Sequence, residues 1–178
     1  DFLIQKSTSI FRDLETMFLI SFFGAIVFLP FIYKDLESLL EANKELSILV
    51  GASIVLLIGG LLDFEALKRG KIAVVEPIYA LEIPIAGVLA FFIVKETLLI
   101  TQITLIFSLV VGLFLVSLKS CHLDKKIWLE KGIILVLVGT IFMGTANFLV
   151  GMGSRATSPI IINWFMALFI AIICFGAI

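Results

Sequence analysis

Apolar residues in this chain come in long unbroken runs. Met17–Tyr33 is 17 residues without a charge, and Ser47–Leu62 is a second charge-free run that extends to about Leu67 past Asp63 and Glu65. Ile72–Val94 follows, interrupted by Glu76 and Glu82. Thr97–Leu118 is 22 uncharged residues, and Gly132–Ser154 and Ala156–Ile178 are 23 each. A helix needs about 20 apolar residues to cross the hydrocarbon core of a bilayer. Only a helix satisfies its backbone groups within such a segment. A membrane strand would be roughly 10 residues of alternating polarity, and no such alternation occurs. The pattern predicts an all-α integral membrane protein, a bundle of about six transmembrane helices.

Composition agrees. The 178 residues are 61 % hydrophobic and 15 % charged, against about 45–50 % and 25 % for soluble domains. Mean hydropathy is +1.22. A soluble domain of this size still exposes about 30 % of its unfolded-chain surface, too much for a chain this apolar. The expected surroundings are membrane lipid, in a cell or inner membrane. A net charge of −1 points to no nucleic acid and no acidic partner. Cys121 and Cys174 have neither metal-ligand nor disulfide spacing, so neither metal nor cofactor is expected. Residue 1 is Asp and Ile178 ends an apolar run, which reads as a piece of a longer protein.

The connections are short, so neighbouring spans should be antiparallel in an up-down bundle. Lys34–Leu46 reads equally as an interfacial amphipathic helix, with Leu36, Leu39, Leu40 and Leu46 on one face, and as an ordinary loop. The stretch 119–131 carries Lys119, Lys125, Lys126 and Lys131 and reads as a joint between two halves. Nine Lys and Arg fall on one side of the predicted bundle and four on the other. The excess marks the first side, with this joint, as cytoplasmic.

The polar residues inside the runs carry the candidate chemistry. Glu82 lies near the middle of the third span, where a charged carboxylate costs about 2.5–3.5 kcal/mol on insertion scales. It must face the bundle interior, be paired, or carry a proton. One reading is proton exchange for a solute; the other is a neutral acid held by one interhelical hydrogen bond. Glu76 points about 120° away from Glu82 on a helix. With Asp63, Glu65, Lys68, Arg69 and Lys71 it reads as an interfacial charge cluster, Asp63 being the member most open to an inward pull. Pro77 and Pro84 share a helix face and each removes one backbone hydrogen bond. They read either as a packing kink or as the interrupted helix on which membrane binding sites are built. Tyr79 lies between the two glutamates and reads equally as a donor to either and as an inward core aromatic. Asn147 and Asn163 sit in apolar runs, as interhelical hydrogen-bond donors or as lining groups, with Trp164 beside the latter. Sequence signatures of hydrolases, phosphate loops and metalloenzymes are absent.

Ala66-Leu67 closing one span, a span centred on Pro84, Glu96 at the turn, then Thr97, Gln102 and Gly112 resemble the EamA-type repeat of the drug/metabolite transporter superfamily. The resemblance covers about residues 10–118. It implies that residues 1–118 are one such repeat lacking its first span, that 119–131 is the linker, and that 132–178 begins a second repeat with Ser158-Pro159 opening a span. Leu105 departs from the pattern, and Glu82 is not a usual element of it. The family's usual topology puts the linker outside the cytoplasm, against the lysine distribution. The resemblance implies a secondary transporter of a small organic solute, working by alternating access, driven by protons or exchange, with a homodimer among the expected assemblies. Glu82, Tyr79, Asn147, Asn163 and Trp164 are the expected lining. Two other classes stay open: a non-transporting assembly subunit, whose polar residues would all be spent between helices around no cavity, and a lipid-modifying membrane enzyme, which would need clustered groups near Asp63 and Glu76.

Overall fold

The computed structural model describes residues 12–32, 43–70, 72–97, 99–120, 131–155 and 157–178. The described residues are almost wholly helical. Helix α1 is Asp13–Ile32, α2 is Asn43–Arg69, α3 is Ile72–Tyr79 and α4 is Glu82–Leu89. Helix α5 is Ile100–Ser120, α6 is Lys131–Gly153 and α7 is Pro159–Ala177. Five stretches are long and apolar enough to cross a membrane: α1, Leu46–Arg69 of α2, the α3–α4 unit over Val74–Val94, Gly132–Gly153 of α6, and α7. Helix α5, of 21 residues, is the sixth rod. The expected interfacial helix at Lys34–Leu46 and the lysine-rich joint fall mostly outside the described residues.

Local chemistry sets the ends of these helices. The Glu15 carboxylate accepts from the Arg12 N–H at 3.1 Å, tying off the start of α1. Gln102 does the same for α5, accepting from the Leu99 N–H at 2.9 Å. Both are the side-chain half of a capping box, in which the third residue of the helix reaches back. Ser158-Pro159 starts α7 with Pro in the first turn, where its missing N–H costs nothing. The third span breaks at Ala80–Leu81 and restarts at Glu82. Pro84 cannot donate to the Ala80 carbonyl, so it falls in the first turn of a new helix. After α4 a π-helical turn, Ala90–Val94, ends at Lys95 in the left-handed region with φ 57°.

Sequence neighbours are antiparallel: Lys68 near the end of α2 reaches Asp13 at the start of α1, Nζ to Oδ1 at 2.6 Å. The closest packing is nonetheless not between sequence neighbours. The most extensive contacts join α2 to α6 and α1 to α7. The reason is where glycine allows close approach. A Cβ on Gly132 would lie 2.8 Å from the Gly70 nitrogen, so the start of α6 crosses the end of α2 backbone to backbone. Three buried apolar clusters follow these pairs: Met17 with Phe64, Ile170 and Cys174; Leu49 with Ala52, Ile162 and Met166; and Ala66 with Leu67, Val75 and Val136. The outer faces stay greasy, with Ile100 84 % and Phe92 71 % exposed, as lipid-facing residues must be.

The Lys95–Glu96 turn is held by an ion pair between Glu96 and Arg155, joining the end of the third span to the loop after α6. Both side chains are about half exposed, at 41 % and 51 %. Exposed pairs are worth about 0.2–1 kcal/mol. Glu96→Gln is therefore expected to shift the thermal unfolding midpoint in detergent by no more than a few degrees; a collapse of the fold would assign this turn a larger structural role.

Candidate functional site

A cavity of about 570 Å³ opens between α1, α2, the α3–α4 unit, α6 and α7. Its polar lining comprises Asp63, Tyr79, Glu82, Asn163 and Ser21. The rest is apolar, with Met17, Met143 and Met166 prominent. The volume lies within the range of about 300–1,000 Å³ typical of small-molecule sites.

The site follows from small residues on α6. Gly139 and Gly144 point about 140° apart around the helix, so each serves a different neighbour. A Cβ on Gly139 would collide with the Asp63 carboxylate of α2 and touch Leu62. A Cβ on Gly144 would lie 2.7 Å from Ile85 Cγ2 and 3.0 Å from the Glu82 carbonyl of α4. Two bare positions on one helix thus bring together the acids of two others. Asp63 and Glu82 come close enough to interact electrostatically. The Tyr79 hydroxyl donates to the Asp63 carbonyl at 3.1 Å, which pins the end of α3 to α2. Asn147, on α6, lies within reach of the Glu82 carboxyl. Asn163 donates its Nδ2 to the Pro159 carbonyl at 2.8 Å.

Of the five expected lining residues, Glu82, Tyr79 and Asn163 line the cavity. Asn147 stands behind Glu82 and outside the lining. Trp164 is not among the residues that line this cavity. Its Nε1 is buried without a hydrogen-bond partner. Pro77 lies inside α3 and Pro84 in the first turn of α4, one on each side of the interruption that leads into Glu82.

The interfacial cluster divides. Lys68 pairs with Asp13 and lies 4.0 Å from Glu65. Arg69 donates from Nε to Glu65 Oε1 at 2.6 Å. Glu76 stands half-buried on α3 outside these pairs, and Lys71 falls outside the described residues. Asp63 does not belong with them. Two residues from Glu65, it points about 200° away, into the cavity, and its Oδ1 is buried without a hydrogen-bond partner. Its helical register with Gly60, Phe64 and Leu67, all lining residues, is the signal that could have separated it from the surface charges. Of the resemblance residues, Glu96 forms the turn ion pair and Gln102 the cap of α5. A Cβ on Gly112 would meet open space. None of the three lines the cavity. Among the described residues no group of His, Cys, Asp and Glu is arranged to hold a metal ion.

A family model described as the EamA-like transporter family matches residues 2–118. An uncharacterized protein of Methanocaldococcus jannaschii is 28 % identical over 97 residues, covering 54 % of this chain and 71 % of that protein. No solved structure matches.

Proposed function

We propose that this chain, which belongs to the EamA-like transporter family, moves a small organic solute through the cavity between α2, the α3–α4 unit and α7. The family is one of transporters, and the helices make the chain an integral multi-pass membrane protein. The observation that carries the reading is the meeting of Asp63, Tyr79 and Glu82 in one cavity beside an interrupted helix. Broken helices near the bilayer midplane are where secondary transporters hold their solutes, and Glu82 lies about midway along the span Val74–Val94. An assembly subunit spends its polar groups between helices and needs no such space. We take the mechanism to be alternating access, with residues 1–118 as one repeat and 132–178 opening a second. The drive is an imposed proton gradient or exchange, with the carboxylates as the groups that carry protons. The membrane we propose is the cell or inner membrane.

Water access tests this. With the native cysteines replaced, Met143→Cys is expected to react with a membrane-impermeant thiol reagent in intact vesicles. Phe92→Cys, on the lipid face at 71 % exposure, is expected to stay unlabelled. Equal silence at both positions would remove the solute path.

A further inference from the structure

The cavity is one-sided in charge and in hydrogen-bonding sense. Among the described residues its carboxylates are Asp63 and Glu82, and none of the described lining residues is Lys, Arg or His. The basic side chains near the end of α2 are engaged elsewhere: Lys68 with Asp13, Arg69 with Glu65. Two of the lining donors are also engaged, Tyr79 fully and Asn163 through one of its two N–H groups. The Tyr79 hydroxyl donates to the Asp63 carbonyl at 3.1 Å, and the Asn163 amide nitrogen to the Pro159 carbonyl at 2.8 Å. What remains to meet a solute is one Asn163 N–H, the Ser21 hydroxyl and a larger set of acceptors. Asp63 Oδ1 has no hydrogen-bond partner, and the Asn163 amide offers its oxygen. The apolar part of the wall includes the rings of Phe28 and Phe64 and three methionines. Aromatic faces attract cations by about 0.5–2 kcal/mol, and thioethers are soft and adaptable.

Resting on the reading of this cavity as a solute site, we infer that its occupant is an organic cation: one positive centre on an apolar, aromatic-sized body. The positive centre sits against the carboxylates of Asp63 and Glu82 and the body against the Phe and Met wall. An anion meets carboxyl groups and no described cation. A zwitterion brings a carboxylate into a wall whose described residues include no cation to neutralise it, and a buried charge without a partner is strongly disfavoured.

The test is equilibrium binding of radiolabelled tetraphenylphosphonium to the purified protein in nanodiscs, with empty nanodiscs subtracted. Three competitors share one side chain: phenylalanine amide (cationic), phenylalanine (zwitterionic) and N-acetylphenylalanine (anionic). The expected result is saturable tetraphenylphosphonium binding, displaced by the amide at concentrations at least tenfold below those needed for the other two. Glu82→Gln and Asp63→Asn are each expected to weaken binding at least tenfold, with Asp63→Glu recovering part of it. Unchanged thermal midpoints show that the variants are folded; should Asp63→Asn fail to fold, Glu82→Gln alone decides. Absence of tetraphenylphosphonium binding, or displacement by the anion as effective as by the amide, overturns the inference. Labelling of Met143→Cys separates the two failures. If the cysteine is labelled and no cation binds, the solute path stands and the charge assignment falls. If it is unlabelled, the path itself falls.

Discussion

Gly132→Ala is expected to destabilise the protein by about 1–3 kcal/mol, the usual cost of overpacking, even though Ala is the better helix former by about 0.5–1 kcal/mol. The added methyl would lie 2.8 Å from the Gly70 nitrogen, 2.9 Å from its Cα and 3.0 Å from the Arg69 carbonyl carbon. All three are backbone atoms. A flexible side chain could swing aside, but here one whole helix end has to move off another, and α2–α6 is the most extensive helix contact in the described structure. Gly151 on the same helix is the internal control, because a Cβ there meets nothing within 4 Å. Gly151→Ala is expected to be neutral or stabilising. The measurement is the thermal unfolding midpoint of both variants in the same detergent. Equal midpoints for the two would mean that α2 and α6 do not cross where Gly70 and Gly132 place them.

This crossing also marks the limit of what the chain reveals as text. The spans were legible because a membrane helix is announced by length and greasiness alone. The expected second run closes at Leu67 and α2 at Arg69; the expected sixth run opens at Ala156 and α7 at Pro159. The interruption of the third span was half legible: the hydrogen bond that Pro84 removes left a packing kink and an interrupted helix equally open, and the helix restarts at Glu82. Which helix lies against which was not. Gly132, Gly139 and Gly144 permit close approach to any partner and specify none. The true partners, Gly70, Asp63 and the Glu82 backbone, sit on spans distant in sequence. Asp63 shows the cost of grouping by proximity in sequence. It stands two residues from Glu65, yet helical rotation sends one into the cavity and the other to the ion pairs at the helix end. Trp164 shows the same in reverse: adjacency to Asn163 is no guarantee of a shared face.

Glu82→Gln is expected to reduce proton-gradient-driven transport at least tenfold while leaving the fold intact. The amide is close to the carboxylate in shape and can still hydrogen-bond the neighbouring Asn147, so position is kept and only the ability to bind a proton or a cation is lost. Asp63→Asn is the less clean substitution. It places an NH₂ group or an uncharged oxygen where the carboxylate packs against Gly139, and an added donor left without an acceptor costs about 1–3 kcal/mol in its own right. Glu82→Gln therefore isolates the chemistry, and Asp63→Asn reports chemistry and packing together. The assay is proteoliposomes carrying a trapped pH dye, energised by an imposed pH gradient, with phenylalanine amide as the probe solute. Wild type should couple solute movement to proton movement between pH 5 and 8. In the Gln variant both signals should fall together, with the unfolding midpoint unchanged. Should solute flux and its pH dependence survive the substitution intact, Glu82 would be a structural acid held by Asn147, and coupling would have to rest on Asp63 alone.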